Sequence, residues 1–225
     1  ALATPFGTFY GPNITPHPQA GIGRWSEQDF ARAMRRGERP DGAHYYPAFP
    51  YASFAAITDR DLQDLWAYLR SLPESERPNR PHELDFPYRW RWLIWGWKLL
   101  FFSPEPFAPD PARSDAVNRG AYLTNVLGHC GECHTPRNLL MIPKDGEHLA
   151  GGPHPEGEGT VPSLRDLTGR ERYEDAEDLA LALQFGETFG YEDISSGGMG
   201  SVQMNISRLP PEDIAAIAEY LVSLE

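Results

Sequence analysis

Both cysteines of this chain stand in one stretch of six residues, His129-Cys130-Gly131-Glu132-Cys133-His134. Two thiols with two residues between them, followed at once by an imidazole, form a C-x-x-C-H motif, the pattern of covalent c-type haem attachment. Each thiol adds to one haem vinyl group, and the short turn carries His134 under the iron as an axial ligand. Three plainer chemistries use parts of the same pattern. A dithiol redox pair needs C-x-x-C but not the histidine, and no βαβ pattern surrounds this one. A structural zinc site asks for four ligands, and the chain has no second cysteine pair. A disulfide inside C-x-x-C is strained. The haem reading uses every cysteine, and a second axial ligand for the iron is available downstream.

That second ligand is sought among four methionines, Met34, Met141, Met199 and Met204. Met34 has helical spacing and reads as core, and Met141 follows Cys133 too closely to cross a haem. Met199 lies in Ser195-Ser196-Gly197-Gly198-Met199-Gly200, which reads as a loop whose glycines let the backbone approach a ligand. Met199 is therefore the expected ligand and Met204 the runner-up, with gap-filling as its other reading. Pro162 follows the Gly-rich run 151–159, and its carbonyl is expected to accept the ring N–H of His134. His129, His148 and His154 read as surface residues.

The elements that must position these residues are helical. Ser26 caps a helix that Gly37 closes, Thr58 caps a second over 59–72 with Leu62, Leu65 and Leu69 on one face, and a third over 115–127 leads into the motif. Asp61-Leu62…Leu65…Tyr68-Leu69…Ser71-Leu72 matches Asp213-Ile214…Ile217…Tyr220-Leu221…Ser223-Leu224 at an offset of 152 residues, from 61 to 213. Trp25…Asp29-Phe30…Gly37 matches Tyr173…Asp178-Leu179…Gly186, and Pro12 matches Pro162. Matching segments in one order predict two homologous modules, 1–73 and 114–225, joined by an aromatic and Pro-rich linker, 74–113. The repeat puts the first module's attachment motif upstream of residue 1; otherwise that module has lost its haem. It also places Phe49 where the first module's methionine would stand. Phenylalanine cannot ligate iron, so His44 in the same loop becomes the candidate, against the reading of a hydrogen-bonded loop histidine.

The formal net charge of -12 argues against nucleic acid and for a basic or neutral protein partner met by salt-sensitive steering. Haem attachment to C-x-x-C-H takes place outside the cytoplasm, which predicts a periplasmic address. Four of six tryptophans fall in 86–102 (FPYRWRWLIWGWKLLFF), a segment too short and too charged to span a bilayer. It reads as a clamp between modules or, through Trp beside Arg and Lys, as an interfacial anchor or docking patch.

The stretches LGHCGECHTPRN (127–138), WKLLFF (97–102), PFGTFYGPNITP (5–16) and HYYPAFPY (44–51) resemble the two-haem class I cytochromes c, relatives of the cytochrome subunits of periplasmic alcohol and gluconate dehydrogenases. The resemblance covers nearly the whole chain. It implies an all-α fold of two class I cytochrome c modules, the first truncated at its N-terminus. It also implies covalent haem c at Cys130 and Cys133, His134–Met199 ligation, and a second haem held by a motif upstream. Where this chain has Phe49, such relatives often offer a methionine. The expected function is single-electron transfer between a dehydrogenase or other donor and a downstream cytochrome or oxidase. The rival reading is a two-haem enzyme of the thiosulfate dehydrogenase or peroxidase type, kept open by the absence of methionine at position 49.

Overall fold

The computed structural model describes residues 1–144, 146–154, 159–169, 173–186 and 197–224. The chain divides into two compact units, Ala1–Phe107 with Pro153–Thr160, and Ala108–Gly152 with Val161–Glu225. Residues 74–107 fall in the first unit and 108–113 in the second.

The first unit opens with three short antiparallel strands in the order β1 (Leu2–Thr4), β2 (Gly7–Phe9), β3 (Glu83–Leu84), with Leu2 opposite Phe9 and Thr8 opposite Glu83. Helix α1 (Glu27–Arg36) begins with a reciprocal cap, Ser26 and Asp29 each accepting the other's backbone N–H, and ends at Gly37 in the left-handed conformation. Phe30, Ala33 and Met34 turn inward from α1, and Phe30 stacks on Trp66 of α3 (Asp59–Ser71) at 5.1 Å. The aromatic loop before α3 contains one further turn of helix, α2 (Tyr51–Phe54), which buries Tyr51 against α1.

Helix α4 (Trp92–Phe101) has the usual polarity reversed. Its one charged side chain, Lys98, is buried, while Trp92, Trp95, Leu99 and Leu100 face outward. Lys98 is held by the carbonyl of Arg36, by His44 Nδ1 at 3.0 Å and by the carboxylate of Glu38 at 3.9 Å, with the Tyr51 and Phe102 rings beside it. An ammonium taken out of water needs such a set of partners. No helix among the described residues is long and apolar enough to cross a membrane.

In the second unit α5 (Asp115–Tyr122), α7 (Ala176–Phe185), α8 (Gly197–Ile206) and α9 (Pro211–Val222) surround a core that includes Leu123, Leu149, Leu167, Leu179, Ile217 and Leu221. α7, like α1, ends at a glycine in the left-handed conformation, Gly186 where α1 has Gly37. α5 crosses α9 at Gly120, where an added Cβ would lie 1.9 Å from the Ala216 carbonyl oxygen and 2.8 Å from Tyr220 Cβ. Only glycine permits backbones to meet at that distance. Arg119 closes the same crossing with two bonds to the Asp213 carboxylate, 2.8 and 2.9 Å. Gly120→Ala must push the helices apart and is expected to cost roughly 3 kcal/mol. Denaturant unfolding measures it, and an unchanged midpoint would show that the crossing can yield.

Candidate haem attachment site

The third predicted helix does not run evenly into the motif. After Tyr122 the turn widens over Leu123–Leu127, where Gly128 N–H bonds to Leu123 O, five residues back, at 2.6 Å. Cys130 N–H then reaches Thr124 O at 2.9 Å, and His129 takes a positive φ of 42°. Such a widened turn inserts a residue into the helix and re-aims the residues after it, a device frequent at functional sites. The motif itself makes the single turn α6 (Gly131–His134), with His134 N–H bonded to Cys130 O at 2.9 Å. One helical turn therefore brings both cysteines and the histidine together.

His134 is buried, and its Nδ1 lies 2.8 Å from Pro162 O. A carbonyl only accepts, so Nδ1 carries the proton and Nε2 is the nitrogen able to ligate a metal. The Pro162 segment is brought close by the turn before it. Gly151 has φ 75°, and a Cβ there would lie 2.6 Å from both Val161 O and Ser163 N. Gly151 N–H also bonds to His134 O at 2.7 Å, and Leu164 N–H bonds to Leu149 O at 2.9 Å. The buried Thr135 hydroxyl accepts the Leu149 N–H at 3.0 Å. The histidine is thus tied to one loop by its ring, its carbonyl and its neighbour's side chain.

Cys130 packs against the core and Cys133 lies at the surface, and both are thiols rather than a disulfide. Burial pushes the Cys130 thiol up to about 11. Dithiol redox motifs depend on a depressed value, so this environment does not suit them. Two thiols and an imidazole oriented through Nδ1 suit covalent haem attachment with Nε2 as the axial donor.

Met199 is not in a loop. It lies in the first turn of α8, half-buried, while Ser195 and Ser196 lie outside the described residues. Met204 on the same helix is 56% exposed. The loop reading failed because glycine weighs against a helix by propensity, and packing in the fold overrode it. His44 lies in the first unit, with Nδ1 taken up by Lys98. A charged Lys98 only donates, so Nδ1 is the accepting nitrogen in this contact. Burial, then the Lys98 charge, push the His44 imidazole below its usual value.

Sequence reading missed three residues. Thr135 is one. Arg137 is another: it bonds Glu132 Oε2 at 2.6 Å and Met141 O at 2.8 Å, folding the loop after the motif back onto it. The third, Gln203, is a buried polar residue in α8. Periodicity carries no signal for any of them, because their partners depend on the fold. Thr135→Val keeps the shape and strands the Leu149 N–H, so we expect a loss of about 1–3 kcal/mol in unfolding free energy. Thr135→Ser should recover most of it, and equal losses in both variants would refute the role of the hydroxyl.

The cytochrome c family model matches residues 117–225. Over 220 residues the chain is 46% identical to a protein of Cereibacter sphaeroides named diheme cytochrome c-type, covering 98% of this chain and 73% of that one. It is 37% identical to the gluconate 2-dehydrogenase cytochrome c subunit of Pantoea cypripedii, covering 99% of this chain and 52% of the relative. It is 35% identical to the fructose dehydrogenase cytochrome subunit of Gluconobacter japonicus, covering 100% and 46%. The chain therefore spans about half the length of these two dehydrogenase subunits and most of the diheme protein. Such relatives favour electron transfer over the thiosulfate dehydrogenase or peroxidase reading. With its C-x-x-C-H motif on a single helical turn, this chain belongs to the cytochrome c family and is an electron-transfer protein carrying covalent haem c.

Proposed function

We propose that the chain passes single electrons from a periplasmic dehydrogenase to a downstream cytochrome or oxidase, with His134 and Met199 as the axial ligands in the second unit. The observation that carries the reading is the 2.8 Å contact of His134 Nδ1 with Pro162 O, inside a C-x-x-C-H turn. When bound, haem c supplies a one-electron ferric/ferrous couple. The protein's residues do the rest. Cys130 and Cys133 tether the group. Pro162 fixes the imidazole's orientation and strengthens it as a donor. Met199 adds a soft sulfur that favours the reduced state, and the apolar core around Leu149 and Leu179 keeps water out.

Charge supports a directional encounter with a partner. Residues 1–107 hold 12 Lys/Arg and 12 Asp/Glu, whereas 108–225 hold 8 and 20, so the whole excess of -12 belongs to the second part. A basic partner surface is steered toward that part in a salt-dependent way.

The first unit is proposed as a second cytochrome c module. Support comes from the repeat and from one side chain. Tyr220 of α9 is 7% exposed beside α5, while its counterpart Tyr68 on α3 is 60% exposed. A helix equivalent to α5 would cover Tyr68. His44, whose Nδ1 meets Lys98, is the candidate haem ligand there. The outward Trp92, Trp95 and Leu99 face of α4 supports contact with a membrane surface, and protein left in the supernatant with phospholipid vesicles would count against it.

Two measurements test the proposal. Intact mass and haem content of this chain should give one covalent haem, lost in Cys130→Ser/Cys133→Ser. Met199→Ala should abolish the absorption band of methionine–iron coordination and lower the midpoint potential, while Met204→Ala leaves both unchanged. The reverse pattern would move the ligand to Met204.

A further inference from the structure

Among the described residues of α8, Gln203 is the one buried side chain, 8% exposed, and it is polar. A buried amide is costly unless its hydrogens are taken up. Here Gln203 Nε2 donates to Leu183 O at 3.0 Å and to Gln184 O at 3.1 Å. Both acceptors are carbonyls in the last turn of α7, where a helix has no intrahelical partner to offer. The neighbouring orphan, Ala182 O, is met by the N–H of Gly186, whose left-handed φ of 79° ends α7. A Cβ on Gly186 would come 3.1 Å from Gln203 Cδ, so the chain turns away there and leaves room for the amide. Gln203 is thus a cap for α7 supplied by α8. Because both partners are acceptors, the amide must present its NH₂ group to them, and its orientation is thereby set.

This clasp bears on the second axial ligand. Met199, Gln203 and Ile206 stand at i, i+4 and i+7 and form the inward stripe of α8, Met199 and Ile206 half-buried on either side of Gln203. Residues four apart on a helix project side by side. Whatever sets the rotation of α8 about its axis at Gln203 sets the direction of Met199 one turn earlier. Ile206 packs on the apolar core, a contact that tolerates sliding, whereas two hydrogen bonds to fixed carbonyls do not.

We propose that Gln203 is a positioning residue for the sixth iron ligand: bonded to the last carbonyls of α7, it fixes the rotation of α8 and so aims the Met199 thioether. This rests on Met199 being that ligand. The Gln203 amide hydrogens are taken up by α7, so in this proposal its removal acts through Met199.

The test uses the haem-loaded protein and reads ligation, not electron-transfer activity. Gln203→Leu keeps the bulk and removes both donors. We expect unchanged haem content and helix content, a weakened methionine–iron band, and external imidazole displacing the methionine about tenfold more readily, the equivalent of roughly 1.4 kcal/mol. If Gln203→Leu does not fold, Gln203→Asn, whose shorter amide cannot span both carbonyls, is judged by the same two readouts. A variant that loses thermal stability but keeps the band and the wild-type imidazole affinity reduces Gln203 to a structural cap and overturns the proposal. Met199→Ala separates the two levels. If it keeps the band, the ligand assignment itself fails. If it loses the band while the Gln203 variants keep theirs, only the positioning role fails.

Discussion

The second unit depends on the approach of α5 to α9 at Gly120. With no side chain between the Gly120 backbone and the Ala216 carbonyl, the two helices sit closer than ordinary ridge-and-groove packing allows. After the crossing, the widened turn that follows Tyr122 sets the direction in which the chain enters the Cys130–His134 turn. The Arg119–Asp213 pair and the Asn125–Tyr220 bond, at 2.9 Å, hold the same crossing at positions either side of the glycine. The attachment site is thus the far end of a lever whose pivot is one glycine.

From that pivot the site is tied down by backbone groups more than by side chains. His134 is oriented by a proline carbonyl, its own carbonyl takes the Gly151 N–H, and Thr135 takes the Leu149 N–H. Backbone partners are fixed by the loop's path and are present whatever the side chains nearby. Gly151 shows the cost of that arrangement, since the loop approaches so closely that a Cβ would clash with three backbone atoms. Dense anchoring of this kind suits an electron carrier, in which a ligand set that moves little between oxidation states keeps reorganisation small.

The two units treat charge differently. Over residues 1–107 positive and negative side chains balance, and the buried cation there, Lys98, is met on several sides by a carbonyl, an imidazole, a carboxylate and two rings. In the second, the acidic excess is unbalanced and lies on the part of the chain that carries the attachment motif. A long-range field belongs beside the redox site, where it biases encounters, and not in a unit whose charges serve packing.

The chemistry and the helical frame are legible in the sequence alone. C-x-x-C-H is local, so its meaning depends on a few adjacent atoms, and Ser26, Thr58, Gly37 and Gly186 act on the turns beside them. The repeated pattern is legible because Leu62 and Leu69 of α3, like Ile214 and Leu221 of α9, are apolar positions that turn inward. Everything else waits on tertiary contacts. Glycines at 197, 198 and 200 suggest a loop by propensity, yet α8 forms because its inward stripe finds α7. The contact of His44 with Lys98, 54 residues further on, carries no signal in spacing. Gln203 and Thr135 carry no periodic signal, since a buried polar side chain has a role only once the carbonyl or N–H it meets has been brought to it by the fold.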